Sequence, residues 1–127
     1  MEFQPKFFRC AHCGQVVSVL KDAGVSIVCC GEAMQRLTPN TTDAAQEKHV
    51  PVAVRDGCKL TVKVGSAAHP MLEAHFIEWI YLHTSTGGQR RILKPGEAPG
   101  ASFCVEEGEA LEVYAYCNLH GLWMAAI

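Results

Sequence analysis

The sequence predicts a mostly β protein in two parts. Residues 1–37 read as a small four-cysteine metal-knuckle domain, and residues 38–127 as a seven-stranded, immunoglobulin-like antiparallel β-sandwich. Three observations carry this. Two cysteine pairs, Cys10/Cys13 and Cys29/Cys30, bracket the first part. From Val50 onward, short apolar/polar alternating runs are separated by turn residues. Nothing after the first part has the periodicity of a long helix. A chain of 127 residues with 49% hydrophobic and 19% charged residues can form a core without disulfides.

In the first part, Phe7-Phe8-Arg9 leads into Cys10-Ala11-His12-Cys13-Gly14. An apolar run from Val16 to Leu20 follows, Asp22-Ala23-Gly24 reads as a hairpin turn, and Val25 to Val28 as the returning strand. Two loops then present two thiols each, the arrangement of a four-cysteine metal site. So short a unit buries too little apolar surface to fold alone, so a metal is expected to stabilise it. The adjacent pair Cys29-Cys30 should distort a tetrahedron, and His12 is expected to be exposed rather than ligating.

Leu37 to Asp43 is a polar linker, and Ala44 to Lys48 a turn or two of helix. The strands that follow are Val50–Val54, Cys58–Val64, His75–Leu82, Arg90–Leu93, Ser102–Val105, Ala110–Tyr116 and Leu122–Ala126. In the second, Cys58, Leu60, Val62 and Val64 alternate with Lys59, Thr61 and Lys63, which puts Cys58 on the buried face. Cys104 is likewise expected in the core, and Ile77 and Trp79 on one side of their strand. Ser85 to Gly88 and Glu106 to Glu109 read as turns.

A net charge of −2, with no basic run beyond Arg90-Arg91, argues against a nucleic-acid surface. Met1 to Arg9 lacks an apolar signal core and no stretch approaches a membrane span, so the expectation is a cytoplasmic protein without a membrane partner. Seven cysteines, an odd number with two close pairs, suit metal ligation in a reducing compartment better than disulfides.

The second candidate site centres on Cys117-Asn118-Leu119-His120. Cys-x-x-His alone is weak. However, His49, His69 and His75 fall at strand ends or in loops, where folding could bring them to this corner. Four neutral imidazoles and one thiolate suit iron, and an ion that prefers six ligands but receives five keeps a position open for chemistry.

In order along the chain, Cys10-x-x-Cys13, Cys29-Cys30, Glu47-Lys48-His49-x-Pro51, His69-Pro70-Met71, His75 with Ile77-Glu78-Trp79-Ile80, and Cys117-Asn118-x-His120-Gly121 resemble the signature segments of desulfoferrodoxins. These are two-iron superoxide reductases with an N-terminal desulforedoxin-like domain. His83 matches no family ligand. The resemblance implies one iron in Cys10, Cys13, Cys29 and Cys30. It implies a second held by His49, His69, His75 and His120 in a plane, with the Cys117 sulfur on the axis. It also implies one-electron reduction of superoxide to hydrogen peroxide, re-reduction by rubredoxin or a similar donor, and a homodimer. Lys48 would attract the superoxide anion, and Glu47 would occupy the vacant position of the oxidised iron. Two other readings rest on the same residues: a two-iron electron carrier without substrate, and a zinc-knuckle adaptor that binds a partner protein.

Overall fold

The protein is described by a computed structural model covering residues 4–106 and 108–127, and its chain divides into two compact units, Met1–Thr38 and Pro39–Ile127.

In the first unit, β1 (Phe7–Arg9), β2 (Val16–Ser18) and β5 (Gln35–Arg36) form a three-stranded sheet in the order β2-β1-β5, while β3 (Val28–Cys29) pairs with β4 (Glu32–Ala33). The expected hairpin of Val16–Leu20 with Val25–Val28 does not form. Instead β2 returns along β1, with Phe7 opposite Ser18 and Arg9 opposite Val16. The chain reverses at the cysteine knuckle itself, where Gly14 N–H donates to Cys10 O and Cys10 N–H to Gln15 O, both at 2.9 Å. Asp22–Gly24 does turn, with Gly24 N–H donating to Asp22 Oδ1 at 2.8 Å, but no ladder follows it. Strands of two or three residues offer too few cross-strand pairs for hydrophobic pattern to choose a partner. The second reversal is at Cys30-Gly31, whose φ values of 53° and 76° suit a tight turn that needs left-handed backbone at both central positions. Phe7, Cys10 and Met34 are buried, whereas Leu20, Val25 and Val28 are exposed. This unit therefore hides little apolar surface.

Among the described residues, the second unit contains α1 (Gln46–His49) and seven strands: β6 (Pro51–Asp56), β7 (Lys59–Val64), β8 (Ile77–Thr84), β9 (Gly87–Ile92), β10 (Gly100–Cys104), β11 (Ala110–Cys117) and β12 (Gly121–Ala126). They form two antiparallel sheets, β10-β7-β6 and β12-β11-β8-β9. Leu60, Val62 and Val64 from one sheet and Ile77, Ile80, Leu82, Val113 and Ala115 from the other fill the core between them. Cys117 belongs to that core at the end of β11.

Three expectations fail here for local reasons. Cys58 is exposed, because it belongs to the Gly57-Cys58 turn and β7 begins only at Lys59. Cys104 is exposed at the end of β10, opposite Lys59, on the other face from the buried Phe103. Ile77 and Trp79 do not share a face. Cys117 pairs with Ile77 but Tyr116 with Trp79, so Glu78 is an extra residue that flips the alternation. Ile77 is in the core, while Trp79 stacks on Tyr116 at 5.4 Å between ring centroids. In the predicted turn at 106–109, Glu107 lies outside the described residues.

Candidate metal centres

The four sulfurs of Cys10, Cys13, Cys29 and Cys30 all lie within 4.8 Å of one another. A tetrahedron with metal–sulfur bonds of about 2.3 Å has edges of about 3.8 Å. Cys13 Sγ to Cys29 Sγ is 3.6 Å and Cys29 Sγ to Cys30 Sγ is 4.0 Å, the wider edge falling between the adjacent residues. The backbone N–H of Cys13 donates to Cys10 Sγ at 3.5 Å and is the main reason its pKa falls to about 6. Hydrogen bonding to Cys10 and Cys13 pushes Cys29 up to about 12. Without a cation, the cluster thus resists carrying more than one negative charge, whereas a metal would favour ionisation of all four. Four protein donors close the site to substrate. His12 is exposed and pairs with Glu32.

The second cluster is built from four chain segments. His49 ends α1, which stops because Pro51 follows and Val50 is already extended, at φ −70° and ψ 120°. His69 and His75 lie on the β7–β8 connection, and Cys117 and His120 flank the β11–β12 turn. Donor atoms of His49, His69, His75 and Cys117 lie within 4.8 Å of one another. His120 Nδ1 joins them, 3.1 Å from His49 Nε2 and 3.9 Å from Cys117 Sγ.

The four imidazoles form a square. Neighbouring ring centroids are 4.7 Å apart for His49–His69, 4.7 Å for His69–His75, 5.0 Å for His75–His120 and 4.9 Å for His120–His49; the His49–His75 diagonal is 6.3 Å. Adjacent rings are near perpendicular, at 76° to 88°.

The hydrogen bonds outside the square fix which nitrogens face inward. His49 Nδ1 donates to Ala45 O at 2.7 Å, and His69 Nδ1 to Pro70 O at 2.6 Å. Both Nε2 atoms are then lone-pair acceptors, yet they face each other at 3.2 Å. His75 Nε2 is buried without a hydrogen-bond partner among the described residues. Lone pairs converging with no proton between them require a cation. Nitrogens about 2.1 Å from a central ion, at right angles, lie about 3.0 Å apart, close to the 3.1 and 3.2 Å found. Four nitrogens and one sulfur, five donors in all, suit an ion that prefers octahedral surroundings, as iron does, better than tetrahedral zinc.

Burial favours the neutral, metal-binding form of His49, His69 and His75. It lowers the pKa of His49 and His75, and brings His69, beside the other imidazoles, down to about 4. Burial pushes the Cys117 thiol up, while the N–H groups of His120 and Leu119 oppose that shift by favouring the thiolate. Lys48 and Glu47 are exposed on α1 beside buried His49, and the Lys48 charge reaches His75.

The structure thus gathers every side chain that the sequence pointed to for each cluster, and leaves His83 out. That residue is buried in β8, with Nδ1 2.9 Å from Glu112 Oε1.

Three supporting residues had no role assigned from sequence. Asn118 clamps the His75 segment: Phe76 N–H donates to Asn118 Oδ1 at 2.9 Å, and Asn118 Nδ2 to Ala74 O at 3.1 Å. Trp123 Nε1 donates to His120 O at 3.1 Å, and its ring lies 4.8 Å from that of His49. Gly65 lets the β7–β8 connection press against α1; a Cβ there would sit 2.6 Å from Glu47 O. Only Asn118 fell inside a recognisable motif, and its partners are more than forty residues away in sequence.

Two family descriptions match the chain, "Desulfoferrodoxin" over residues 41–126 and "Desulfoferrodoxin, N-terminal domain" over residues 4–37. The desulfoferrodoxin of Nitratidesulfovibrio vulgaris is 46% identical over 125 residues, covering 98% of each chain. The superoxide reductase of Pyrococcus horikoshii is 38% identical and covers 71% of this chain and 94% of its own. The crystal structure of the superoxide reductase from Treponema pallidum superposes with a TM-score of 0.80 at 37% identity, covering 97% of this chain and 99% of that one. Matched from residue 4 to residue 126 by both parts of one family, this chain belongs to the desulfoferrodoxins.

Proposed function

We propose that this protein is a superoxide reductase with two iron ions per chain, one at Cys10, Cys13, Cys29 and Cys30 and one at His49, His69, His75, His120 and Cys117. The observation that carries this is the convergence of four imidazoles and the buried Cys117 thiol, beside an exposed Lys48. Its membership of the desulfoferrodoxins, and its likeness to named superoxide reductases, supports the same reading.

The iron of the histidine site, when bound, supplies the one electron that, with two protons, turns superoxide into hydrogen peroxide. The residues do the rest. Four neutral rings and one thiolate leave a divalent ion with a net charge of about +1, so the exposed face attracts an anion, and the Lys48 ammonium adds to that field. Nδ1–H bonds to Ala45 O and Pro70 O hold the His49 and His69 rings in the binding tautomer and orientation. The Cys117 thiolate, as a ligand of that iron, would donate electron density to it, which would favour release of peroxide over O–O cleavage. Water beside Lys48 delivers the protons. Glu47, exposed one residue further from His49, would be the carboxylate available to the oxidised iron after turnover. A thiolate donor and that carboxylate both disfavour oxidation of superoxide, which makes the protein a reductase rather than a dismutase.

The two units fit a desulforedoxin-like domain at residues 1–37 and the reductase domain at 38–127. Return of the electron is assigned to rubredoxin or a similar donor, an electron-transport role suited to a reducing cytoplasm. No helix among the described residues is long and apolar enough to cross a membrane. Exposed Leu20, Val25 and Val28 offer an apolar surface for a homodimer.

The test is stoichiometric: reduced protein mixed with superoxide under anaerobic conditions. One hydrogen peroxide per superoxide, without oxygen release, is expected. Oxygen evolved at half the superoxide consumed would mean dismutation and overturn the assignment.

A further inference from the structure

Cys58 and Cys104 are the two cysteines that neither metal cluster uses, and both are exposed. Cys58 leads into β7 and Cys104 ends its neighbour β10, with Cys104 opposite Lys59 and Val105 N–H donating to Cys58 O at 2.8 Å. Neighbouring strands lie about 5 Å apart and a one-residue offset adds about 3.3 Å along the strand, so a separation of about 6 Å falls inside the Cα range of about 4.4–6.8 Å that a disulfide spans. Arg55 fixes the two segments together: Nε donates to Gly57 O at 3.1 Å and Nη2 to Glu106 O at 2.8 Å. Both thiols line an open cleft of about 1000 Å³ together with Arg55, Glu106 and Glu109.

We propose that Cys58 and Cys104 form a reversible dithiol/disulfide site oxidised by hydrogen peroxide. The Cys58 thiolate attacks one peroxide oxygen, the O–O bond breaks, and Cys58 becomes a sulfenic acid as water leaves. The Cys104 sulfur then attacks Cys58, and its proton goes out with the sulfenic oxygen as a second water. In sum, two thiols and one peroxide give one disulfide and two waters, and a small thiol reverses the change.

The order of attack follows from the contact between the thiols. Hydrogen bonding to Cys58, then its charge, holds the Cys104 thiol above its ordinary value, so Cys104 is the one that keeps its proton. The Arg55 guanidinium lines the same cleft and favours a thiolate there. Glu106 and Glu109 repel anions from the cleft but not neutral hydrogen peroxide. That the peroxide comes from this protein's own turnover rests on the superoxide reductase reading; the pairing itself does not.

The experiment adds one equivalent of hydrogen peroxide to the iron-loaded full chain, followed by alkylation and peptide mapping. Expected are the loss of two alkylatable thiols per chain, a linked Cys58–Cys104 peptide, and recovery of both thiols with dithiothreitol. Fully alkylated Cys58 and Cys104, or sulfinic acids without the linked peptide, overturn the proposal. In Cys104→Ser, a dione probe labels Cys58; no label overturns the order of attack. With a limiting pulse of superoxide, reduction yields one peroxide per superoxide and spontaneous dismutation only half, so about twice as much catalase-sensitive linkage in the parent as in Cys117→Ser supports supply by turnover. Linkage with added peroxide but equal linkage in the parent and Cys117→Ser with superoxide leaves the dithiol site standing and counts against the reductase assignment.

Discussion

Replacing Asn118 by alanine should weaken the histidine site without touching any of its donor atoms. Asn118 holds the segment that carries His75 through two side-chain hydrogen bonds, at 2.9 and 3.1 Å. Each contributes about 1 kcal/mol net, so the clamp is worth about 2 kcal/mol. If that falls wholly on metal binding, iron affinity drops about 30-fold, within the range seen when residues supporting metal ligands are removed. Asn118→Asp retains the acceptor for Phe76 N–H but loses the donor to Ala74 O, and should fall between the alanine variant and the parent. The assay is competition for ferrous iron with a coloured chelator, read at fixed protein concentration. The four-cysteine iron, held in the other compact unit, serves as an internal control. Superimposable competition curves for the parent and Asn118→Ala would refute the view that this clamp positions His75. Equal loss of both irons would instead mean that the variant unfolds.

Lys48→Ala should slow superoxide capture about threefold, the effect of removing one charge acting through water at about 7 Å, and should flatten the dependence of the rate on ionic strength. Unchanged rate and salt slope would remove Lys48 from the mechanism. Cys13→Ser should lose the first iron and keep superoxide reduction nearly intact; loss of activity with the second iron still bound would show that the first is required. Acid should destabilise the metal-free protein. Folded His49, His69 and His75 titrate below the ordinary histidine value of 6.5, so below that pH the unfolded chain binds more protons. The melting temperature should therefore fall as pH drops from 6.5 towards 4, with a shallower fall in His69→Gln. Equal slopes in both proteins would contradict that linkage.

The strands of the sandwich were most legible where a buried and a wet face alternate, as in β7 with Leu60, Val62 and Val64 inside; β9, which buries none of its residues, begins at Gly87, three residues before its expected start. Where the signal was shorter, it misled. At Glu78 one extra residue reverses the alternation, and pattern alone cannot see a bulge that exists only through its pairing with Cys117. Cys58 fits the alternation of β7, but the turn at Gly57 takes it out of the strand. In the first unit, β2 chose β1 rather than the nearer segment, since hydrogen bonding around the cysteine knuckle sets the reversal. Spacing alone would not separate His75 from His83. Both are histidines of the same stretch, and it is the contact with Glu112 that explains the second as an internal pair. The supporting shell was the least visible, because Ala45, Pro70 and Ala74 contribute carbonyl oxygens, which any residue could supply.

The central claim concerns which atoms surround the second iron and whether one face admits an anion. X-ray absorption at the iron edge of Cys13→Ser, which isolates that iron, tests it directly, first reduced and then oxidised with azide. Four imidazole nitrogens and one sulfur in the reduced state, with azide nitrogen bound in the oxidised state, is the predicted result. A spectrum without sulfur, or an oxidised site that azide leaves unaltered, would contradict the account.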